Sequence, residues 1–381
     1  MTMLLGIDAS RAVTTQRTGT EAYALYLVRA LIAQTHQTDF RLRLYFNQPP
    51  PDDLFPSAPH VAMVNIPFPR LWTHIRLARE LRQQPPDLFF TPAHVIPLTF
   101  RGRALATIHD LGYHHFPQAH PLTQRLYLHW STRHNARRAH HILADSQATK
   151  DDLHRFYATP LEKVTVVYPG LPGGSELLTV NSEQLAVSSE PSSFTIYHSQ
   201  FTIHNSFPYF LYVGTLQPRK NLARLVEAYA QSGVSHHLVL AGRVGWLADD
   251  LLRTIARQPA EVRGRIHLPG YISDQDKTRL LAGATALLFP SLYEGFGFPV
   301  LEAQALGTPV LCANSSSLPE VAGDSALLVN PLQVGEIAAA IQRLTQDTAL
   351  CQELRRKGYE NVRRFTWENA AAQVLSLISN L

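Results

Sequence analysis

Cysteine is nearly absent: the 381-residue chain has only Cys312 and Cys351. Two thiols cannot build a disulfide framework, and they show no metal-ligand spacing, so a reducing compartment is expected. Charge is also sparse. Asp, Glu, Lys and Arg make up 17% of the chain, below the roughly one quarter of an average protein, which argues against disorder and against a coiled coil. No membrane-spanning segment is expected. Residues 280–293, the longest uncharged apolar run of the C-terminal half, number 14 and contain Gly283 and Pro290, where about 20 are needed. The N-terminal apolar run has no basic region before it and is cut by Asp8, so it reads as a first β-strand rather than a signal peptide. No G-x-G-x-x-G turn follows that strand, since the chain runs Gly6-Ile7-Asp8-Ala9-Ser10, and a dehydrogenase is disfavoured. A recognised nucleic-acid-binding module is lacking too.

What is present describes a globular protein of two domains. Hydrophobic residues are 45% of the chain, with 17 Phe, 14 Tyr and 4 Trp, and the length is more than one domain needs. Short apolar runs alternate with amphipathic stretches, the signature of βαβ units and parallel sheets. Strands are expected at 3–7, 42–46, 61–64, 88–90, 105–108, 141–144 and 164–167, and again at 209–213, 237–241, 266–268, 286–289, 310–312 and 326–329. Helices are expected at 20–33, 71–81, 122–136 and 147–156. A last helix is expected at 367–378, with Thr366 as its N-cap. Residues 170–208 break the rhythm: Ser-rich, without Lys or Arg and without a helical period, they read as a linker or surface excursion. The net charge of +4 is uneven. Residues 1–170 carry 18 Lys and Arg against 12 Asp and Glu, residues 171–381 carry 16 against 18, and 13 of the 18 histidines lie in the first part. A basic half suits a polyanion, an anionic membrane or a phosphorylated substrate, and equally an ordinary solvated surface.

The segment PSLYEGFGFPVLEAQALGTPV (290–310) is the densest in chemistry. After a buried strand comes a turn, Glu294-Gly295-Phe296-Gly297, and then a helix with Pro299 in its first turn. Glycines admit a ligand close to the backbone, and free amides at a helix start attract anions. Glu294 before the turn and Glu302 within the helix could accept hydrogen bonds from sugar hydroxyls on either side; the alternative is a capped turn with two surface acids. A second segment, FLYVGTLQPRKNLARLVEAY, ends a strand at Gly214 and places Arg219 and Lys220 before a helix that Asn221 would cap. Two cations at the carboxyl end of a strand suit a diphosphate, the alternative being a solvated basic loop.

The E-x7-E pair Glu294 and Glu302, the G-x4-RKN segment 214–221 and SLPEVAGDSALLVNP at 317–331 together resemble the retaining glycosyltransferases of family 4, over nearly the whole chain. The resemblance implies an α/β protein of GT-B fold: two Rossmann-like, doubly wound domains facing each other across a cleft, with the C-terminal helix crossing back to the first. Residues 1–170 with helix 366–381 would bind the acceptor, 171–208 would be a linker or insertion, and 209–365 would bind a nucleotide sugar. By the same resemblance Arg219 and Lys220 contact the donor diphosphate, with Gly214 at the strand end. Glu294 contacts the sugar beside the amides of Gly295, Phe296 and Gly297. Glu302 accepts from the ribose, and Leu318 lines the nucleotide side. In ATIHDLGYHHFP, His109 and Asp110 match the position near the reacting sugar, and the loop 12–20 with Gly19 matches a glycine-bearing loop over the cleft.

The expected activity is therefore transfer of a hexose, mannose or glucose, from a GDP-, UDP- or ADP-linked donor to a glycan or lipid-linked acceptor of polysaccharide assembly. Retention of configuration is implied. No cofactor, no metal and no nucleic acid is expected, and the location is cytoplasmic or peripheral on the inner face of the membrane. Asp274-Gln275-Asp276 has metal-site spacing but follows Ser273 at a helix start, where Asp276 reads as part of a cap. Two arginine-rich stretches remain. Arg70, Arg76, Arg79 and Arg82 surround Trp72, Ile75 and Leu77, while Arg125, Arg133, Arg137 and Arg138 flank Tyr127 and Trp130. Each reads either as a helix resting on an anionic membrane or as a solvated helix face. A sugar-nucleotide epimerase and a non-catalytic nucleotide-sugar or glycan-binding protein are the alternative functions.

Overall fold

The computed structural model describes residues 2–14, 19–36, 38–172, 195–198, 201–204 and 207–381. It divides into two compact units: Met1–Tyr113, His120–Pro172 and Phe365–Leu381 form the first, and His114–Ala119 with Gly173–Arg364 the second.

Unit 1 is built on seven parallel strands: β1 (Met3–Asp8), β2 (Phe40–Phe46), β3 (Val61–Asn65), β4 (Leu88–Thr91), β5 (Ala104–Ile108), β6 (His141–Ala144) and β7 (Val164–Val166). Their spatial order is β3-β2-β1-β4-β5-β6-β7. Every residue of β4, β5 and β6 is buried, as strands covered on both faces must be. The connections include α1 (Gly19–Thr35), α2 (Ala78–Gln83), α3 (Leu122–Arg138) and α4 (Gln147–Tyr157). The helix expected at 71–81 is divided, with a π-helical turn Thr73–Leu77 leading into α2. Of the loop 12–20, residues 12 and 13 end a 3-10 turn (Ser10–Val13), Gly19 opens α1, and 15–18 lie outside the described residues.

Unit 2 repeats the plan with β10 (Tyr209–Val213), β11 (His237–Ala241), β12 (Ile266–Gly270), β13 (Ala286–Phe289), β14 (Val310–Ala313) and β15 (Leu327–Val329). The strands are parallel in the order β12-β11-β10-β13-β14-β15. Its helices include α5 (Leu222–Ser232), α6 (Asp249–Arg257), α7 (Asp274–Gly283), α8 (Phe298–Ala305), α9 (Leu318–Ala322), α10 (Val334–Gln346) and α11 (Thr348–Val362). Within the stretch 170–208, β8 (Thr195–His198) and β9 (Phe201–His204) pair antiparallel; the rest of 173–206 lies outside the described residues. In both sheets the strand order reverses, between β1 and β4 and between β10 and β13, and ligands bind at the carboxyl ends of strands beside such reversals.

The last helix, α12 (Trp367–Asn380), belongs to unit 1 and packs on α1. Thr366 accepts from the Asn369 amide at 3.1 Å and so caps it. Trp367 is buried, stacks on Tyr26 with ring centroids 5.7 Å apart, and donates its indole N–H to the Leu171 carbonyl at 2.9 Å. A side chain at Gly170 would meet the Trp367 backbone nitrogen at 2.4 Å, so that position has no room for anything larger than glycine.

Candidate functional site

Arg219, Lys220 and Glu294 come together at the carboxyl edge of the unit 2 sheet. Arg219 Nη1 donates to Glu294 Oε2 at 3.0 Å and to the Tyr293 carbonyl at 2.8 Å, and Lys220 Nζ donates to Glu294 Oε1. Lys220 and Glu294 are buried, so each needs the other: an unpaired charge at such a site would cost several kcal/mol. Burial pushes the Glu294 carboxyl up, but Lys220 and Arg219 outweigh it and hold the group at about 2.

The surrounding chain is laced to this cluster. The Glu294 amide donates to Ser316 Oγ at 2.9 Å, and Ser317 Oγ donates to the carbonyls of Glu294 and Phe296 at 3.0 and 2.7 Å. Gly297, at φ 117°, is the residue before α8, and a Cβ there would lie 2.8 Å from Leu318. Pro299 falls in the helix's first turn. Asn221 occupies the N-cap position of α5 but does not cap with its side chain. Its backbone is left-handed, and its amide instead donates to the carbonyls of Pro290 and Pro331 at 3.1 and 2.6 Å. The side chain is thus spent strapping β13's exit to the loop after β15. Gly214 ends β10 at φ 144°, where it packs against Gly242 after β11.

Glu302, buried within α8, accepts from Lys277 Nζ at 2.8 Å. Burial lowers the Lys277 pKa, but Glu302 and Asp274 more than restore it, so its net shift is upward. Asn361 of α11 donates to Gln304 at 2.8 Å and braces the same helix. Ser273 Oγ accepts from the Asp276 amide at 3.1 Å and donates to its carboxylate at 2.7 Å, and Asp274 lies 3.4 Å from Lys277. The two carboxylates of Asp274-Gln275-Asp276 are occupied by a helix cap and an ion pair.

Unit 1 carries a second constellation at its own carboxyl edge. His109, after β5, faces Asp145 Oδ2 with Nδ1 at 2.6 Å and the Pro92 carbonyl with Nε2 at 2.9 Å. Both partners are acceptors, so the ring is best satisfied when doubly protonated. Burial opposes that charge, yet Asp145 overrides it and the His109 pKa rises. Asp110 is exposed, with Oδ1 accepting from the Gly112 amide at 2.9 Å. At the strand reversal Asp8 is buried with His94 Nδ1 3.2 Å away, and Arg11 donates to the other His94 nitrogen. Burial raises the Asp8 carboxyl, but His94 and Ser10 bring it below its ordinary value.

The sequence matches the family Glycosyl transferases group 1 over residues 193–362 and Glycosyltransferase Family 4 over residues 17–172. It is 30% identical over 305 residues to the O-antigen chain mannosyltransferase B of Escherichia coli, spanning 79% of this chain and 76% of that protein. The chain belongs to the family 4 glycosyltransferases. A sucrose-phosphate synthase from Thermosynechococcus elongatus shares the fold with a TM-score of 0.72 at 20% identity, over 99% of this chain and 98% of that one. The Anabaena HepE protein in complex with UDP and glucose does so with a TM-score of 0.68 at 18% identity, over the whole of both chains. The two parallel-sheet units of this glycosyltransferase are the Rossmann-like domains of the GT-B fold.

Several residues at these sites escape the sequence motifs. Lys277, partner of Glu302, reads only as part of a helix. Asp145 follows a buried strand in ADSQATKDDL, where the adjacent Ser146 is the more obvious signal as the N-cap of α4. Asp8 and His94 of the glycosyltransferase are brought together only by the pairing of β1 with β4.

Proposed function

We propose that this glycosyltransferase moves a hexose, mannose in the first instance, from a nucleoside-diphosphate sugar to a hydroxyl of a glycan or lipid-linked acceptor at a membrane surface, without a metal and with retention of configuration. The observation that carries the reading is the Arg219–Lys220–Glu294 cluster, in which Lys220 and Glu294 are buried. Two cations against one carboxylate leave an excess positive charge at a strand end, and a diphosphate is the ligand it suits. Glu294, ionised and fixed in place, supplies an acceptor for sugar hydroxyls, and Glu302 supplies one for the ribose. The mannosyl preference is supported by the E. coli relative, and the nucleotide by the UDP held in the Anabaena structure.

In the reaction the bond from the anomeric carbon to the diphosphate breaks and a bond to the acceptor oxygen forms on the same face. The acceptor proton passes to the departing phosphate oxygen. Charge grows on the leaving group, so fixed cations are where stabilisation counts most. His109, with its ring nitrogens held by Asp145 and the Pro92 carbonyl, contributes positioning rather than proton abstraction. The test is incubation with GDP-, UDP- and ADP-linked mannose and glucose in EDTA, with the product anomer read by NMR. Acceptor-dependent α-product from an α-donor is expected. Isomerised donor formed without an acceptor would indicate an epimerase, and an inverted product would refute retention.

A further inference from the structure

Helix α3 of unit 1 buries only Thr132, Asn135 and Ala136. Leu122, Leu126, Tyr127 and Trp130 stand out from it, 60, 59, 55 and 40% exposed. The His74 ring meets Trp130 edge-on at 5.9 Å, which joins this stripe to the segment where Leu71 and Ile75 are also exposed. Single exposed apolar residues need no explanation, but a contiguous set marks a binding surface. Beside it lies a cavity of about 420 Å³ lined by Arg101, Arg133, Arg137 and Arg138 together with Leu98 and Trp130. Arg138 is spent on the carbonyls of Phe100 and Gly102, at 2.9 and 2.8 Å. Among the described residues no carboxylate pairs with Arg101, Arg133 or Arg137. Like charges are therefore held around one cavity without a counterion.

We propose that this face docks on an anionic lipid bilayer, the arginine-lined cavity taking a lipid phosphate while Leu122, Leu126, Tyr127 and Trp130 enter the interface. Uncompensated arginines beside aliphatic and aromatic side chains on one helix match the boundary between headgroups and acyl chains. Tyr and Trp are the residues that favour that depth. A nucleic acid would use the charges but would leave the leucines in water. The proposal deepens the reading of a membrane-borne acceptor and depends on no catalytic residue.

The test is sedimentation of the full chain with vesicles of phosphatidylcholine alone or mixed with phosphatidylglycerol, at low and high salt. Salt-sensitive binding to the mixed vesicles alone is expected. The pair Arg133→Ser and Arg137→Ser should weaken it roughly 30-fold, at about a fivefold loss per arginine near the surface. The pair Leu126→Ser and Tyr127→Ser should also weaken it while leaving donor cleavage and thermal unfolding unchanged, since both side chains are exposed. Failure to bind mixed vesicles overturns the proposal, as does binding that neither pair alters. Inorganic phosphate that binds through Arg133 and Arg137 without any recruitment to vesicles would show a soluble-anion site and overturn it as well. Loss of donor cleavage with vesicle binding intact would count against the catalytic reading alone.

Discussion

Glu294 stays ionised because its one carboxylate faces two cations, the buried Lys220 and the partly buried Arg219. Its pKa of about 2 against an ordinary 4.5 corresponds to about 3 kcal/mol of stability. Because the folded value is depressed, that contribution is present at and above pH 4.5 and is lost as pH falls towards about 2. Glu294→Gln should therefore be less stable at neutral pH and should show a flatter stability profile between those limits in urea titrations. An unchanged slope would mean that other carboxylates carry the acid sensitivity. Glu302→Gln keeps a hydrogen bond to Lys277 but not the charge, and donor KM should rise about tenfold. Glu294, Glu302, Arg219 and Lys220 are legible in the sequence because they sit in short motifs around glycine turns. Lys277 and Asp145 are not, because their partners lie 25 and 36 residues away in the chain, and only packing brings such pairs together.

Two contacts between elements hold the sites in register. Gly214 and Gly242 close on each other where β10 and β11 end: a Cβ at Gly242 would lie 1.9 Å from the Gly214 carbonyl oxygen, and its φ is 147°. Gly242→Ala should cost unit 2 about 3 kcal/mol through overpacking and backbone strain, and it should weaken donor binding. Near-wild-type unfolding would show that the loop after β11 yields freely. In unit 1, Trp367 ties α12 to α1 and to Leu171. Trp367→Ala should destabilise unit 1 by about 3–5 kcal/mol, seen as an earlier unfolding step while donor binding by unit 2 persists. The elements themselves were readable, since strands buried on both faces appear as short apolar runs and the Thr366 and Ser273 caps as polar residues before amphipathic stretches. The side chain of Asn221 was not. Its N-cap position follows from sequence, but its left-handed backbone turns the side chain to the Pro290 and Pro331 carbonyls, and the second of these becomes a neighbour only through the sheet.

Across the molecule, the two sheets repeat one topology and place polar residues at the same edge, the carboxyl ends of the strands. The charge is divided with the units, since the basic excess lies within residues 1–170 and the remainder is slightly acidic. On the proposed function, the anionic donor of a protein so divided is held by local cations at Arg219 and Lys220 rather than by a general field. The measurement that tests this most directly is release of nucleoside diphosphate from the donor panel in EDTA, comparing the wild-type chain with Lys220→Ala. Turnover of one nucleotide series, insensitive to EDTA and reduced about 10- to 100-fold in Lys220→Ala, is the expected result. Wild-type rates in that variant, or turnover abolished by EDTA, would contradict the account.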